Sequence, residues 1–240
     1  MKRVTSYTVL DMEMTGLNPK TDRVIEIGAA RVRSGRVQKT LSLLVNPGIP
    51  IPIHVVELTG ITDEMAVEGL AADVAMEQLL EFLGEDLLVG QNISFDYSFL
   101  AQWAINQRKS LHMEACDTLR MARALLPAEQ SRKLEALCSY FGIPRENAHR
   151  ALDDALETAQ VFEKLQDLLE EKGPDVAEAL LKPRLLNYRG RRQTPATKHQ
   201  LERLKDYRLS HGIDDAICLE KLTRSEASRL QDQYFARYGR

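Results

Sequence analysis

The 240-residue sequence has little sulfur chemistry: it carries three cysteines, and Cys116, Cys138 and Cys218 show neither pairing nor metal-ligand spacing. That excludes a disulfide scaffold and a cysteine zinc site, and leaves thiols suited to a reducing compartment. No apolar run approaches the ~18 residues of a membrane span. The start, Met1-Lys2-Arg3, lacks the hydrophobic core of a signal peptide, so the expectation is a cytoplasmic protein with no membrane partner. Internal repeats and low-complexity tracts are absent too, which sets aside repeat architectures. Nor does the whole chain lean strongly to one charge: its formal net charge is -3, with 44% hydrophobic residues. Such a chain can bury one well-packed domain and carry a small appendage.

Charge is nevertheless divided unevenly. Residues 1–183 hold 19 Lys+Arg against 28 Asp+Glu, and residues 184–240 hold 13 against 7, so a basic tail follows an acidic body. Between them Lys172-Gly173-Pro174, Lys182-Pro183-Arg184 and Tyr188-Arg189-Gly190-Arg191-Arg192-Gln193-Thr194-Pro195 mix breakers with base. This reads as a basic linker over 173–194 with a short helix, Val176 to Leu181, inside it. Beyond it Thr197-x-x-Gln200 and Thr223-x-x-Glu226 each fit a capping box opening an amphipathic helix. The expected division is therefore a main domain over 1–172, the linker, and a small helical module over 195–240. Arg189, Arg191 and Arg192, beside Tyr188, form the densest cationic cluster and a candidate grip on a nucleic-acid backbone.

Three segments carry candidate chemistry. Tyr7-Thr8-Val9-Leu10-Asp11-Met12-Glu13 opens as a strand apolar on both faces. Side chains two apart share a face, so Asp11 and Glu13 project side by side, roughly 7 Å apart along the backbone. Two anions at the end of a buried strand call for a divalent metal, unless the strand merely ends in a solvated acidic turn. In the second segment, Leu87-Leu88-Val89-Gly90-Gln91-Asn92-Ile93-Ser94-Phe95-Asp96, a short apolar strand turns into an amphipathic helix. Asp96 lies near its start, where the helix dipole favours an anion with or without a metal. Phe95, Tyr97 and Phe99 are read as helix packing rather than base-stacking platforms. The third segment places His149 ahead of a helix containing Asp153 and Asp154. Neighbouring helical residues point about 100° apart, so only one of the two aspartates can face a small site. His54, His112, His199 and His211 are read as ordinary histidines.

Taken together, these segments resemble the three exonuclease motifs of the DEDDh (DnaQ-like) family, which includes the proofreading epsilon-type subunit of bacterial replicative polymerases. Asp11-x-Glu13 with Thr15-Gly16-Leu17 resembles the first motif, Asn92 to Asp96 with Phe99-Leu100 the second, and His149 with Asp154 five positions later the third. Val24 to Ala29, Leu58 to Thr62 and Asp117-Thr118-Leu119 agree with it, and the resemblance covers roughly residues 5–170. One departure is Gln91, where many members carry His.

The resemblance implies a ribonuclease H-like α/β fold, a mixed sheet flanked by helices. Strands near Tyr7–Asp11, Val24–Val32 and Thr40–Val45 should form an antiparallel start, with later strands added in parallel. It implies Asp11, Glu13, Asp96 and Asp154 as ligands of two Mg²⁺ ions, with Mn²⁺ able to substitute and Asp11 bridging the pair. His149 is the implied general base. The backbone around Met14 and Thr15, the Leu17 side chain and Asn92 would hold the terminal nucleotide. The implied function is metal-dependent 3′ to 5′ hydrolysis of single-stranded ends, DNA before RNA, of the proofreading or repair type. An RNA-trimming exoribonuclease and a non-catalytic adaptor for a polymerase or recombination protein are the alternatives.

Overall fold

The computed structural model describes residues 3–145, 149–172, 174–215 and 217–239. Gly173, read from the sequence as a linker breaker, and Ala148, which precedes the third motif, lie outside them. In chain order the elements begin with β1 (Ser6–Met14), β2 (Val24–Arg33), β3 (Arg36–Asn46), α1 (Ile53–Thr59), α2 (Asp63–Val67), β4 (Leu70–Ala71) and α3 (Ala72–Leu83). Next come β5 (Leu88–Gly90), α4 (Ser94–Asn106), β6 (Glu114–Asp117), α5 (Thr118–Leu125), α6 (Leu134–Phe141) and α7 (Ala151–Lys172). The chain closes with α8 (Pro174–Leu181), β7 (Arg184–Leu185), α9 (Lys198–His211) and α10 (Arg224–Tyr238).

The strands form one mixed sheet in the order β4-β3-β2-β1-β5-β6-β7. The β1-β2-β3 start is antiparallel, and β5 joins β1 and β6 joins β5 in parallel, as the sequence led us to expect. The third strand starts at Arg36, four residues before the expected Thr40. A two-residue turn, Ser34-Gly35, has φ 52° and 71°; two positive values match the right-handed twist of a hairpin. The β2-β3 ribbon therefore continues past the core as the exposed, polar stretch Arg36–Thr40, which hydrophobic alternation does not mark.

Each face of the sheet carries its own core. Leu10, Met12 and Met14 of β1, with Ile27 and Ala29 of β2, pack against α3 and α4, while Tyr7 and Val9 pack against α5, α6 and α7. Period-two alternation therefore puts Asp11 and Glu13 on the same face as Tyr7 and Val9, the face covered by α7. Tyr97 and Phe99 are buried and Phe95 meets Phe99 edge-on with ring centroids 5.5 Å apart, so all three aromatics pack the helix.

The basic stretch read as a linker is structured in detail. Its α8 buries Ala177 and Leu181, β7 pairs antiparallel with β6, and Leu186 enters the core beneath α4. Tyr188 then donates its hydroxyl to Gln102, whose amide donates to the Arg191 carbonyl, and Asn106 exchanges hydrogen bonds with Gln193. Gly190 sits against Tyr188 and Gln102 so closely that a Cβ would lie 2.4 Å and 2.7 Å from them. The side chains of Arg189, Arg191 and Arg192 stay exposed on this pinned strap. Past it both capping boxes form, Thr197 with Gln200 and Thr223 with Glu226. α9 and α10 share a small core of Leu204, Ile217, Leu219, Leu222, Leu230 and Tyr234, against which Ile49 of the main sheet's loop packs.

Candidate active site

The site assembles at the end of β1 because three backbones stop or crowd there. β5 ends at Gly90, so beyond Val9 the edge of β1 on that side has no strand partner. Asp96, in the first turn of α4, takes the place of one: its carboxylate accepts the Met12 amide at 3.0 Å. Gly90 permits the turn, since a Cβ there would stand 2.7 Å from Ile93 and 3.0 Å from the Leu10 carbonyl. On the opposite face Gly28, the register partner of Asp11, lets the start of α7 lie on the sheet. A Cβ on Gly28 would overlap the backbone of Ala151 and Leu152 at 2.1–2.2 Å.

That close approach delivers the third segment. His149, with a left-handed φ of 62°, precedes α7, and its ring nitrogen lies with carboxylate oxygens of Glu13 and Asp154 inside a span of 4.8 Å. Asp154 is buried and belongs to this group; Asp153 stands partly exposed outside it. Asp11 adjoins the cluster, since Asp96, Glu13 and Asp154 all oppose its ionisation. Burial and then these neighbours hold the Asp11 carboxyl well above the usual range. Burial, followed by Asp154, Glu26 and Asp96, pushes Glu13 up to about 8. Burial raises Asp96 to about 8 against the pull of its two backbone hydrogen bonds, and raises Asp154 against Arg145 and His149. Several carboxyls that resist ionising together form a strong demand for positive charge. The clustered carboxylate oxygens are a donor set that fits a hard divalent cation, with the His149 imidazole beside them.

Supporting groups escaped the sequence reading. Glu26, cross-strand from Glu13 and 2% exposed, accepts the Arg150 guanidinium at 2.6 and 3.0 Å and the Ala151 amide at 2.9 Å. It thereby satisfies an otherwise open donor at the start of α7. Arg145 bridges Asp154 at 2.6 Å and Glu157 at 2.7 Å. Glu26, a charged residue inside the apolar run Val24 to Ala29, carried a signal in the sequence; Arg145 and Arg150 had none.

The nucleotide-contact candidates separate. Met14 is buried in the core and offers its backbone alone; Thr15 is buried, its amide donating to the Arg23 carbonyl and its hydroxyl accepting the Arg23 amide. Leu17 is 82% exposed. Asn92 is exposed in a left-handed turn, φ 59°, with its amide on Asp117. Gln91 does not reach into the cluster's hydrogen bonding; it links the Thr118 hydroxyl to the Arg132 carbonyl.

Comparison with known proteins agrees with this architecture. The RNase T family model, described as an exonuclease, matches residues 8–162. The chain is 36% identical over 165 residues to the DNA polymerase III PolC-type of Clostridium perfringens, covering 67% of this chain and 11% of that protein. It is 33% identical over 165 residues to the DNA polymerase III subunit epsilon of Aquifex aeolicus, covering 68% of this chain and 82% of that one. The nuclease domain of 3′hExo, a DEDDh family member solved bound to rAMP, superposes with a TM-score of 0.59 at 19% identity, over 68% of this chain and 92% of that chain. This last likeness shows the shared ribonuclease H-like fold. The chain spans about a tenth of the length of the PolC-type polymerases it matches. Among the described residues no helix is long and apolar enough to cross a membrane. With motifs, fold and relatives in agreement over the same residues, the chain belongs to the DnaQ-like, DEDDh family of 3′–5′ exonucleases, a family that works with divalent metal ions.

Proposed function

We propose that the protein is a cytoplasmic 3′ to 5′ exonuclease acting on single-stranded DNA ends with two Mg²⁺ ions, for which Mn²⁺ can substitute. The observation that carries this reading is the convergence of Glu13, His149 and Asp154 within 4.8 Å, beside Asp11 and Asp96, at one end of β1. Asp11, Glu13, Asp96 and Asp154 hold the metals; when bound, these supply an activated water and stabilise the departing 3′ oxygen. His149 takes the proton from the attacking water, as a neutral imidazole can near physiological pH. Arg145 and the Glu26–Arg150 pair hold Asp154 and the start of α7 in place. The backbone of Met14 and Thr15, with Leu17 and Asn92, receives the terminal nucleotide. Residues 1–172 carry the chemistry, while the strap and the module over 195–240 serve binding, with Arg189, Arg191 and Arg192 gripping the phosphate backbone. DNA is favoured because relatives over these residues are named DNA polymerase III PolC-type and DNA polymerase III subunit epsilon, which also makes a polymerase a candidate partner. RNA trimming is the second reading, favoured by the structural neighbour bound to rAMP.

Degradation of matched single-stranded DNA, RNA and mismatched duplex 3′ ends tests the proposal. Asp154→Asn should remove most activity and weaken Mn²⁺ binding, Asp153→Asn should be mild, and His149→Ala should lower turnover by about 10²-fold or more with Mn²⁺ binding retained. An active Asp154→Asn enzyme, or a wild type inert on every 3′ end, would defeat this reading.

A further inference from the structure

The loop between β1 and β2, Thr15 to Arg23, begins two residues after Glu13 and carries Leu17. Within itself the loop is tied by the Thr21 and Asp22 amides to the Asn18 carbonyl and by the Asn18 amide to the Asp22 carboxylate. Asp22 is 7% exposed, and its carboxylate lies so close to Gly16 that a Cβ there would meet it at 2.6 Å. A buried carboxylate needs a cation, and none comes from the loop. It comes from α10, more than two hundred residues away in sequence. Arg229 bonds the Asp22 carboxylate and donates to the Thr21 hydroxyl at 2.8 Å. One turn earlier Glu226, while completing the α10 capping box through the Thr223 amide, accepts Arg23 at 2.7 and 2.9 Å. Gln193 of the strap adds a third tie, to the Lys20 carbonyl. Thr15, Asp22, Glu226 and Arg229 also line one cleft of about 670 Å³, so the braced loop and its brace face the same space.

Resting on the nuclease reading above, we propose that Arg229, Glu226 and Gln193 are positioning residues for the loop that receives the 3′-terminal nucleotide. The C-terminal module then sets affinity for a nucleic-acid end without touching the metal ligands. Cutting the ties leaves Thr15 and Leu17 on a loop that must be ordered each time a nucleotide binds, and that ordering weakens binding.

Hydrogen exchange over residues 15–23 reads the brace in the intact protein with or without catalysis. Calorimetry with thymidine 5′-monophosphate and Mn²⁺ reads nucleotide affinity. Arg229→Ala should raise loop exchange and weaken thymidylate binding about tenfold, raising KM on single-stranded DNA by a similar factor with kcat changed less than about threefold. Arg229→Lys, which keeps the charge, should recover part of both effects. Gln193→Ala lies outside the α9–α10 core and keeps the test open if Arg229→Ala unfolds the module; it should shift exchange and affinity in the same direction, by less. Unchanged exchange and affinity in both alanine variants, with wild type binding thymidylate, would overturn the brace alone. A wild type that binds no thymidylate would overturn the nuclease reading and this proposal with it.

Discussion

At the residue scale the active end of β1 is a place of stored electrostatic tension. Glu13 and Asp96 both have carboxyls pushed up to about 8, mainly by burial. In the unfolded chain they titrate near ~4, so the metal-free fold holds protons that the unfolded state has already released. Stability from this source is fully present below ~4 and is lost as pH rises through about 8. On the proposed ligand set, divalent metal reverses the balance, because those carboxylates must be ionised to bind it. Metal-free protein should therefore lose several kcal/mol between pH 5.5 and 8.5, and Mn²⁺ should raise Tm far more at pH 8.5 than at 5.5. Melting curves with chelator and with Mn²⁺ check this; a metal-free Tm that does not fall across that range would contradict it.

At the scale of elements, one glycine decides whether α7 can bring its residues to the sheet. Gly28→Ala would press a methyl onto the backbone of Ala151 and Leu152, which a side-chain rotation cannot relieve. We expect a loss of about 3 kcal/mol, read as a lower urea midpoint, together with a fall in activity of the protein that remains folded, because Asp154 and His149 move with α7. Gly35→Ala is the comparison. Its added methyl meets nothing within 4 Å, and its φ of 71° leaves only the left-handed penalty of ~1 kcal/mol, far from the chemistry. If the two substitutions behaved alike, close packing at Gly28 would not be what seats the helix.

Across the whole molecule the acidic body faces a polyanionic substrate, and the exposed Arg189, Arg191 and Arg192 lie on a strap fastened along α4, the helix that begins at the Asp96 turn. Deleting the tail beyond Leu181 would also remove β7 and Leu186, so charge neutralisation is the cleaner test. Changing the three arginines to Gln should raise KM for long single strands and flatten the log–log salt dependence by about 2, near 0.7 per lost phosphate contact. Maximal rate on a short oligonucleotide should stay close to wild type. An unchanged salt slope would assign the strap to packing.

Much of this was legible in the chain itself. Alternation over Tyr7–Glu13 puts two carboxylates on one face, the capping boxes at Thr197 and Thr223 start two helices, and turn chemistry starts α4 at the Asp96 segment; these are local rules, acting within a few residues. Motif spacing across the chain pointed to the family. What the sequence could not order were contacts closed over long separations. Arg145 on Asp154, Glu26 on Arg150 and the Ala151 amide, and Arg229 on Asp22 are each a pairing of charges whose burial, and therefore whose need for a partner, exists only after the sheet and helices have packed. The same holds for the strap: Pro, Gly and Arg read as a linker locally, yet Leu181 and Leu186 find apolar surface against the helix-covered sheet, and Gln102 and Asn106 fasten its backbone. Local propensity and periodicity determined the elements and where the acidic groups stand on them. Tertiary packing decided which of those groups share a site, what holds them there, and that the C-terminal helix braces the loop beside it.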